Sequence, residues 1–324
     1  MFSELLDSIF AVIAGFALLV WGADRFVYGA SATARNLGVS PLIIGLTIVG
    51  IGTSAPEILV SAMAAWQGNP ALGIGNALGS NITNIGLVLG ITALITPLVV
   101  KSEILRREYP LMFMIMLVSL MLLLDGEMSR LDGIILLIGL VIMVMWMIRL
   151  SLRREHDPME DEFDKEIPRI STGKALFWLA LGLILLLGSS RLLVWGAVDI
   201  AQAMGISDLI IGLTIVAIGT SLPELAASVM SALRNEPDIA IGNVIGSNMF
   251  NLLAVLGLPG IIHPTVLAPE ILTRDYAYMI GLSIALFVMA YGFRGQGRIN
   301  RVEGLLLLIA YFVYLGLLYH SVTS

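Results

Sequence analysis

The stretch Ile44-Gly-Leu-Thr-Ile-Val-Gly-Ile-Gly-Thr-Ser-Ala-Pro-Glu57 decides how this chain is read. It returns as Ile211-Gly-Leu-Thr-Ile-Val-Ala-Ile-Gly-Thr-Ser-Leu-Pro-Glu224, 167 residues later. Each copy sets one glutamate inside an apolar run long enough to cross a hydrocarbon core about 30 Å thick. The match continues without a gap. Residues 44–84 align onto 211–251 with 23 identities in 41 positions, and both copies close on Gly-Ser-Asn-x-x-Asn, at 79–84 and 246–251. Weaker echoes at the same offset pair Gly29 with Gly196 and Gly38 with Gly205.

Working outward, the 324-residue chain is 58% hydrophobic and 13% charged, about half the charge of a soluble domain. Its apolar runs are too long and continuous for the alternating strands of a membrane barrel. They predict ten spans, near 8–30, 40–66, 70–98, 108–125, 131–150, 173–198, 207–233, 238–262, 274–293 and 302–320. The first is read as a retained span, because Met1–Asp7 carries no basic n-region.

One polar segment, 151–172, divides the spans five and five. Fourteen Lys and Arg residues fall in loops on one side and only Arg130 and Arg274 on the other. The positive-inside rule then puts the 151–172 loop in the cytoplasm and both termini outside. Five spans per half is odd, so the second half enters the membrane in the opposite sense, as in the inverted repeats of secondary transporters. The expected fold is an all-α integral membrane protein of ten transmembrane helices in two inverted-topology five-helix repeats. Residues 1–150 form the first (repeat motif 44–90), 151–172 a linker and 173–324 the second (repeat motif 211–257).

The chemistry lies in the repeats. A charge at the centre of a span costs roughly 2.5–3.5 kcal/mol, so Glu57 and Glu224 call for a reason. The plain one is a protonated carboxyl or a partner such as Arg25 or Arg191. The other is a cation. Thr53 and Glu57 stand four apart, as do Ser80 and Asn84, and so share helix faces. Pro56, with Gly50 and Gly52 before it, predicts a broken helix with freed carbonyls, tolerated in a membrane only when buried or lining a cavity. The second copy supplies Thr220, Pro223, Glu224, Ser247 and Asn251, with Ala217 in place of Gly50.

Every candidate ligand is an oxygen. That set suits calcium or sodium; magnesium sheds its water reluctantly. With no cysteine and only the scattered His156, His263 and His320, thiolate sites are excluded and zinc or copper is disfavoured. Other patterns read as decoys. Gly73–Gly79 is misspaced for a dinucleotide loop, Asn81-Ile-Thr83 lies inside a span, and the acidic run Glu155–Glu166 lacks EF-hand spacing and reads as a solvated linker.

On Gly-Thr-Ser-x-Pro-Glu followed by Gly-Asn-x-x-Gly-Ser-Asn-x-x-Asn, twice and in order, the whole chain resembles the calcium/cation antiporter superfamily, and within it bacterial sodium/calcium exchanger-type proteins. The resemblance implies four ion sites among the second, third, seventh and eighth spans. Glu57 and Glu224 would be shared by both ions, and Thr53 and Thr220 would serve calcium. Ser54, Ser80, Ser221 and Ser247 would line sodium sites, with backbone carbonyls near Gly50 and Ala217. Asn84 and Asn251 would complete the centre. Some relatives, potassium-dependent exchangers included, carry an acid at the position of Asn251; asparagine there disfavours potassium.

The resemblance further implies that the first and sixth spans slide against the rest, a use for which Gly15, Gly22 and Gly29 offer a smooth face. It implies a multi-pass protein of the bacterial inner (plasma) membrane that works without a cofactor and is not an enzyme. Its partners are calcium, sodium and the lipid bilayer, with no nucleic acid and no obligate protein partner. Proton/calcium antiport is the alternative, since a buried glutamate can trade a proton for a metal. A channel or an assembly protein has no need of paired inverted carboxylates.

Overall fold

The computed structural model describes residues 2–100, 104–153, 170–205, 217–291 and 297–323. The acidic run 155–166 and residues 206–216, which open the second copy of the repeat, lie outside the described residues. The described residues are predominantly helical: α1 Phe2–Leu37, α2 Pro41–Thr53, α3 Ala55–Trp66, α4 Pro70–Ile95, α5 Tyr109–Leu123, α6 Arg130–Arg153, α7 Thr172–Ala203, α8 Ala217–Thr220, α9 Leu222–Leu233, α10 Pro237–Ile262, α11 Ile271–Ala290 and α12 Arg301–Thr323.

Among the described residues seven helices are long and apolar enough to cross a membrane. The α2–α3 pair, bent by 42°, makes an eighth. The other two expected spans fall on α5, entered through a π turn at Ile104–Glu108, and on α9, whose lead-in lies outside the described residues.

Burial sorts these helices into layers. In its apolar window α10 is 100% buried and α4 78%, whereas α1, α6, α7, α11 and α12 are only 22–33% buried. The peripheral helices present large apolar side chains outward, Phe10, Phe16, Ile184 and Phe312 among them. In water such a surface is a liability; in lipid it is the required one. The two helices whose sequences are richest in Gly, Ser and Asn are therefore the two at the centre.

Features recur at the 167-residue offset well beyond the sequence identity. The helix α4 passes into a π turn at Asn84–Leu89, and α10 does so at Asn251–Val255. Tyr109 donates from its hydroxyl to the Ser283 carbonyl. Reciprocally, Tyr276 donates to the Met116 carbonyl at 2.7 Å. Two short antiparallel ladders follow the same crossed plan: β1 (Leu98–Val99) pairs with β4 (Arg298–Ile299), and β2 (Glu127–Met128) with β3 (Thr265–Val266).

The long helices α1 and α7 pack against one another, and small residues permit it. A Cβ on Gly29 would lie 2.8 Å from the Ala175 carbonyl, and one on Gly196 2.6 Å from the Ser8 carbonyl, two contacts that the offset interchanges. Gly15 and Gly22 also face α7, at Leu193 and Leu185. The glycine stripe is thus the seam that joins the first and sixth spans to each other. It does not form a smooth face toward the rest of the protein.

Candidate functional site

Both copies of Gly-Thr-Ser-x-Pro-Glu build the same local device. The helix stops at the threonine and the serine sits in the bridge region of backbone space, with φ −81°, ψ 1° at Ser54 and φ −92°, ψ 7° at Ser221. A new helix then starts with proline in its first turn, where a missing N–H costs nothing. Each glutamate stands in that first turn, Glu57 on α3 and Glu224 on α9. The positive end of a helix dipole favours a carboxylate there, which offsets part of the cost of burying it. Thr53 and Glu57 accordingly meet across a break and not along one continuous helix.

The following helices hold these turns in place. Asn76 of α4 donates its amide to the Glu57 carbonyl at 3.3 Å, and Asn243 of α10 donates to the Glu224 carbonyl at 3.2 Å. Asn243 also donates to Ser228 Oγ at 3.0 Å. Thr53 Oγ1 lies 3.1 Å from the Val49 carbonyl, 3.0 Å from Asn243 Oδ1 and 3.4 Å from Ser247 Oγ. Its one proton serves one of them. Ser247 Oγ reaches the Gly50 carbonyl at 3.5 Å.

Thr53 and Ser54 of the first copy also face the carboxyl of Glu224 in the second, with Ser54 Oγ outside hydrogen-bond geometry. The two carboxyls are near enough to feel each other's charge. On the far side of the site, Asn84 donates to Asn248 Oδ1 at 3.1 Å and Asn251 to Asn81 Oδ1 at 3.0 Å.

The structure therefore brings Glu57, Glu224, Thr53, Ser54, Ser247 and the Gly50 carbonyl together through contacts that cross between the two copies, and it joins Asn84 and Asn251 to the opposite copy through Asn248 and Asn81, one helical turn beyond Ser80 and Ser247. Ser80 and Ser221 are buried on the same elements, and Thr220 is half-buried at the end of α8. Ala217 opens α8, with its side chain outside the described residues. Arg25 is not a partner of a glutamate. It pairs with Asp24 at 3.4 Å and lies over the Trp178 ring at 5.1 Å.

Six oxygens in this region are buried without a protein hydrogen-bond partner: Ser54 Oγ, Glu57 Oε2, Asn84 Oδ1, Ser221 Oγ, Glu224 Oε2 and Asn251 Oδ1; the Asn248 amide nitrogen beside them is unpartnered as well. The six oxygens form three pairs at the 167-residue offset. A buried acceptor left unpaired costs about 1–3 kcal/mol, so six together rival the roughly 5–15 kcal/mol net stability of a whole domain. A hard cation removes that cost, because it takes six or more oxygens at once. Among the described residues no group of three or more His, Asp and Glu gathers anywhere, this site included, where two carboxylates stand among hydroxyl and amide oxygens.

Sequence reasoning left out Asn76, Asn243, Asn81 and Asn248, which orient this shell. Their signal was present, since each is identical to its counterpart at the offset.

Comparison with known proteins agrees over the whole chain. The family model described as sodium/calcium exchanger protein matches residues 8–149 and 174–320. A protein of Alkalimonas amylolytica named "Putative antiporter CaxA" is 52% identical over 312 residues, covering 96% of this chain and 98% of that protein. The inner membrane protein YrbG of Escherichia coli is 42% identical, covering 95% of each. A solved structure of the sodium-calcium exchanger NCX_Mj superposes with a TM-score of 0.84 at 35% identity, covering 97% of this chain and 99% of that one.

Proposed function

The chain belongs to the sodium/calcium exchanger family of membrane antiporters, and we propose that it exchanges calcium for sodium by alternating access. Both ions compete for one site built around Glu57 and Glu224. The observation that carries this reading is the set of six buried oxygens in three repeat-related pairs, because a shell of oxygens with two carboxylates matches the charge of one calcium ion or of several sodium ions.

The proposed roles are those that the family resemblance implies for these motif positions. The two glutamates supply charge to either ion. Thr53 and Thr220, at the ends of the broken helices, serve calcium. Ser54, Ser221, Ser80 and Ser247 serve sodium together with carbonyls near Gly50 and Ala217. Asn84 and Asn251 present neutral oxygens at the centre. Calcium and sodium are cargo, and no resident cofactor is needed.

The proposed frame is ten spans in two inverted halves. The crossed ladders support it. Pairing β1 with β4, and β2 with β3, requires an even number of crossings between each pair, which the ten-span count supplies. With the basic loops cytoplasmic, both termini and the β2–β3 ladder face outside. An empty site holding two close carboxylates resists the switch between outward- and inward-facing states, while occupancy by either ion permits it. Coupling of the two fluxes follows from that rule.

Calcium uptake into vesicles driven by an imposed sodium gradient tests this reading. Uptake with sodium is expected, with no drive from a pH or a potassium gradient. Uptake driven by the pH gradient alone would instead establish proton/calcium antiport.

A further inference from the structure

We propose that Asn81 and Asn248 are positioning residues that fix the amide orientation of the candidate ion ligands Asn251 and Asn84, each acting on the opposite half of the molecule. The inference rests on the ion-site reading above. Each stands three residues before a ligand asparagine on the same helix, hence on the same face. The hydrogen bonds nevertheless cross. Asn84 Nδ2 on α4 donates to Asn248 Oδ1 on α10 at 3.1 Å, and Asn251 Nδ2 on α10 donates to Asn81 Oδ1 on α4 at 3.0 Å. All four side chains are buried.

A side-chain amide is two-faced: one end accepts, the other carries two donors. Turned one way it is a cation ligand; turned the other it repels a cation. With Nδ2 of Asn84 and of Asn251 held across the helix interface, the two Oδ1 atoms are left without protein partners. Those are the atoms a cation needs. Rotating either ligand by half a turn would set its oxygen against Asn248 Oδ1 or Asn81 Oδ1, acceptor against acceptor. Asn81 is itself anchored, since its Nδ2 donates to the Asn248 carbonyl at 3.3 Å and lies 3.4 Å from Met279 Sδ. The two residues thereby leave the acceptor ends of both ligand amides free toward the centre, with Asn81 anchored at its nitrogen and Asn248 held through its oxygen alone, its own Nδ2 being buried without a protein partner.

The test is the KM for calcium, read separately from the maximal rate, in vesicles carrying single and double variants. Asn81→Leu, close in size but with no acceptor, is expected to raise KM about tenfold, the scale of one lost hydrogen bond, with the maximal rate nearly kept. Asn251→Asp supplies the decisive control. A carboxylate offers oxygen in either rotation, so in the Asn251→Asp background Asn81→Leu is expected to leave KM unchanged. A tenfold penalty that persists in the double variant overturns the proposal, because it would reflect packing and not orientation. So does an Asn81→Leu protein that folds with normal KM. Asn81→Ala repeats the comparison if the leucine variant fails to fold. Glu57→Gln and Glu224→Gln separate the two levels of inference: if they leave calcium KM untouched the ion site itself is misplaced, whereas if they abolish uptake and Asn81→Leu does nothing, only the positioning role falls.

Discussion

The two halves of the molecule agree around the proposed ion site and disagree where α1 is fastened to α9. Around the site every element has its twin: the broken helices at Ser54 and Ser221, the π turns at Asn84 and Asn251, and the crossed tyrosines Tyr109 and Tyr276. Near the end of α9 the twinning stops. Arg234 donates from Nε to Asp24 at 2.8 Å and also from Nη2. Arg25 lies on the other side of that carboxylate, and Tyr28 lies under both guanidinium groups, at 5.6 and 5.8 Å. This cluster ties α1 to the basic-loop end of α9.

At the 167-residue offset Asp24 becomes Arg191 and Arg234 becomes Gln67, a pair with no charge to lock. In inverted repeats, exchanging the conformations of the halves exchanges the open side. The matched positions then define what is carried, and the unmatched ones set which side rests closed. The Asp24–Arg234 pair is therefore expected to favour the arrangement in which α1 stays fastened to the end of α9.

The comparison breaks most directly at the glutamates. Glu57→Gln and Glu224→Gln are each expected to cut sodium-driven calcium uptake by about a hundredfold or more, since each removes a unit of charge from a buried site. Equal losses sharpen the account; a large loss in one alone would make the site the property of a single half. Next in size is the lock. A pair exposed to this degree is worth about 1 kcal/mol, so Asp24→Asn is expected to shift the state populations about fivefold. The chain has no cysteine, so a lone Ser231→Cys, buried one turn before Arg234, reports that shift as faster thiol labelling from the basic-loop side.

Smaller still, Tyr109→Phe loses one buried interhelical hydrogen bond, about 1 kcal/mol, whereas Tyr276→Phe loses the bond to the Met116 carbonyl and the contact with Ser119 Oγ at 2.7 Å. Both are expected to lower the thermal midpoint, Tyr276→Phe the more. Smallest is Arg191→Gln, which leaves the labelling rate unchanged, because Gln67 offers it no ion pair.

Most of the candidate site was legible because its residues come in duplicate. A carboxylate, a hydroxyl and an amide at fixed spacing, twice, in apolar surroundings, admit few readings besides a cation. Proline placement gave away the break before Glu57. What the sequence concealed was long-range. Nothing local in Asp24 points to Arg234, 210 residues away. The π turns at Asn84 and Asn251 leave no mark in hydrophobic period, since the surrounding faces are buried throughout. The glycine spacing on α1, read as a smooth sliding face toward the rest of the protein, instead marks the close seam with α7, because small residues show that a helix can be approached without showing by which neighbour. The orienting asparagines were visible as identities, yet their role depends on contacts that cross between the halves.

The central claim is a single site shared by both halves and both ions. Calcium binding to the purified protein, titrated with sodium, tests it most directly, in the wild type and in Glu57→Gln and Glu224→Gln. Competitive displacement of calcium by sodium, lost together with calcium binding in either variant, is the predicted result. Calcium binding of wild-type affinity in one variant, or calcium and sodium bound without competition, would contradict it.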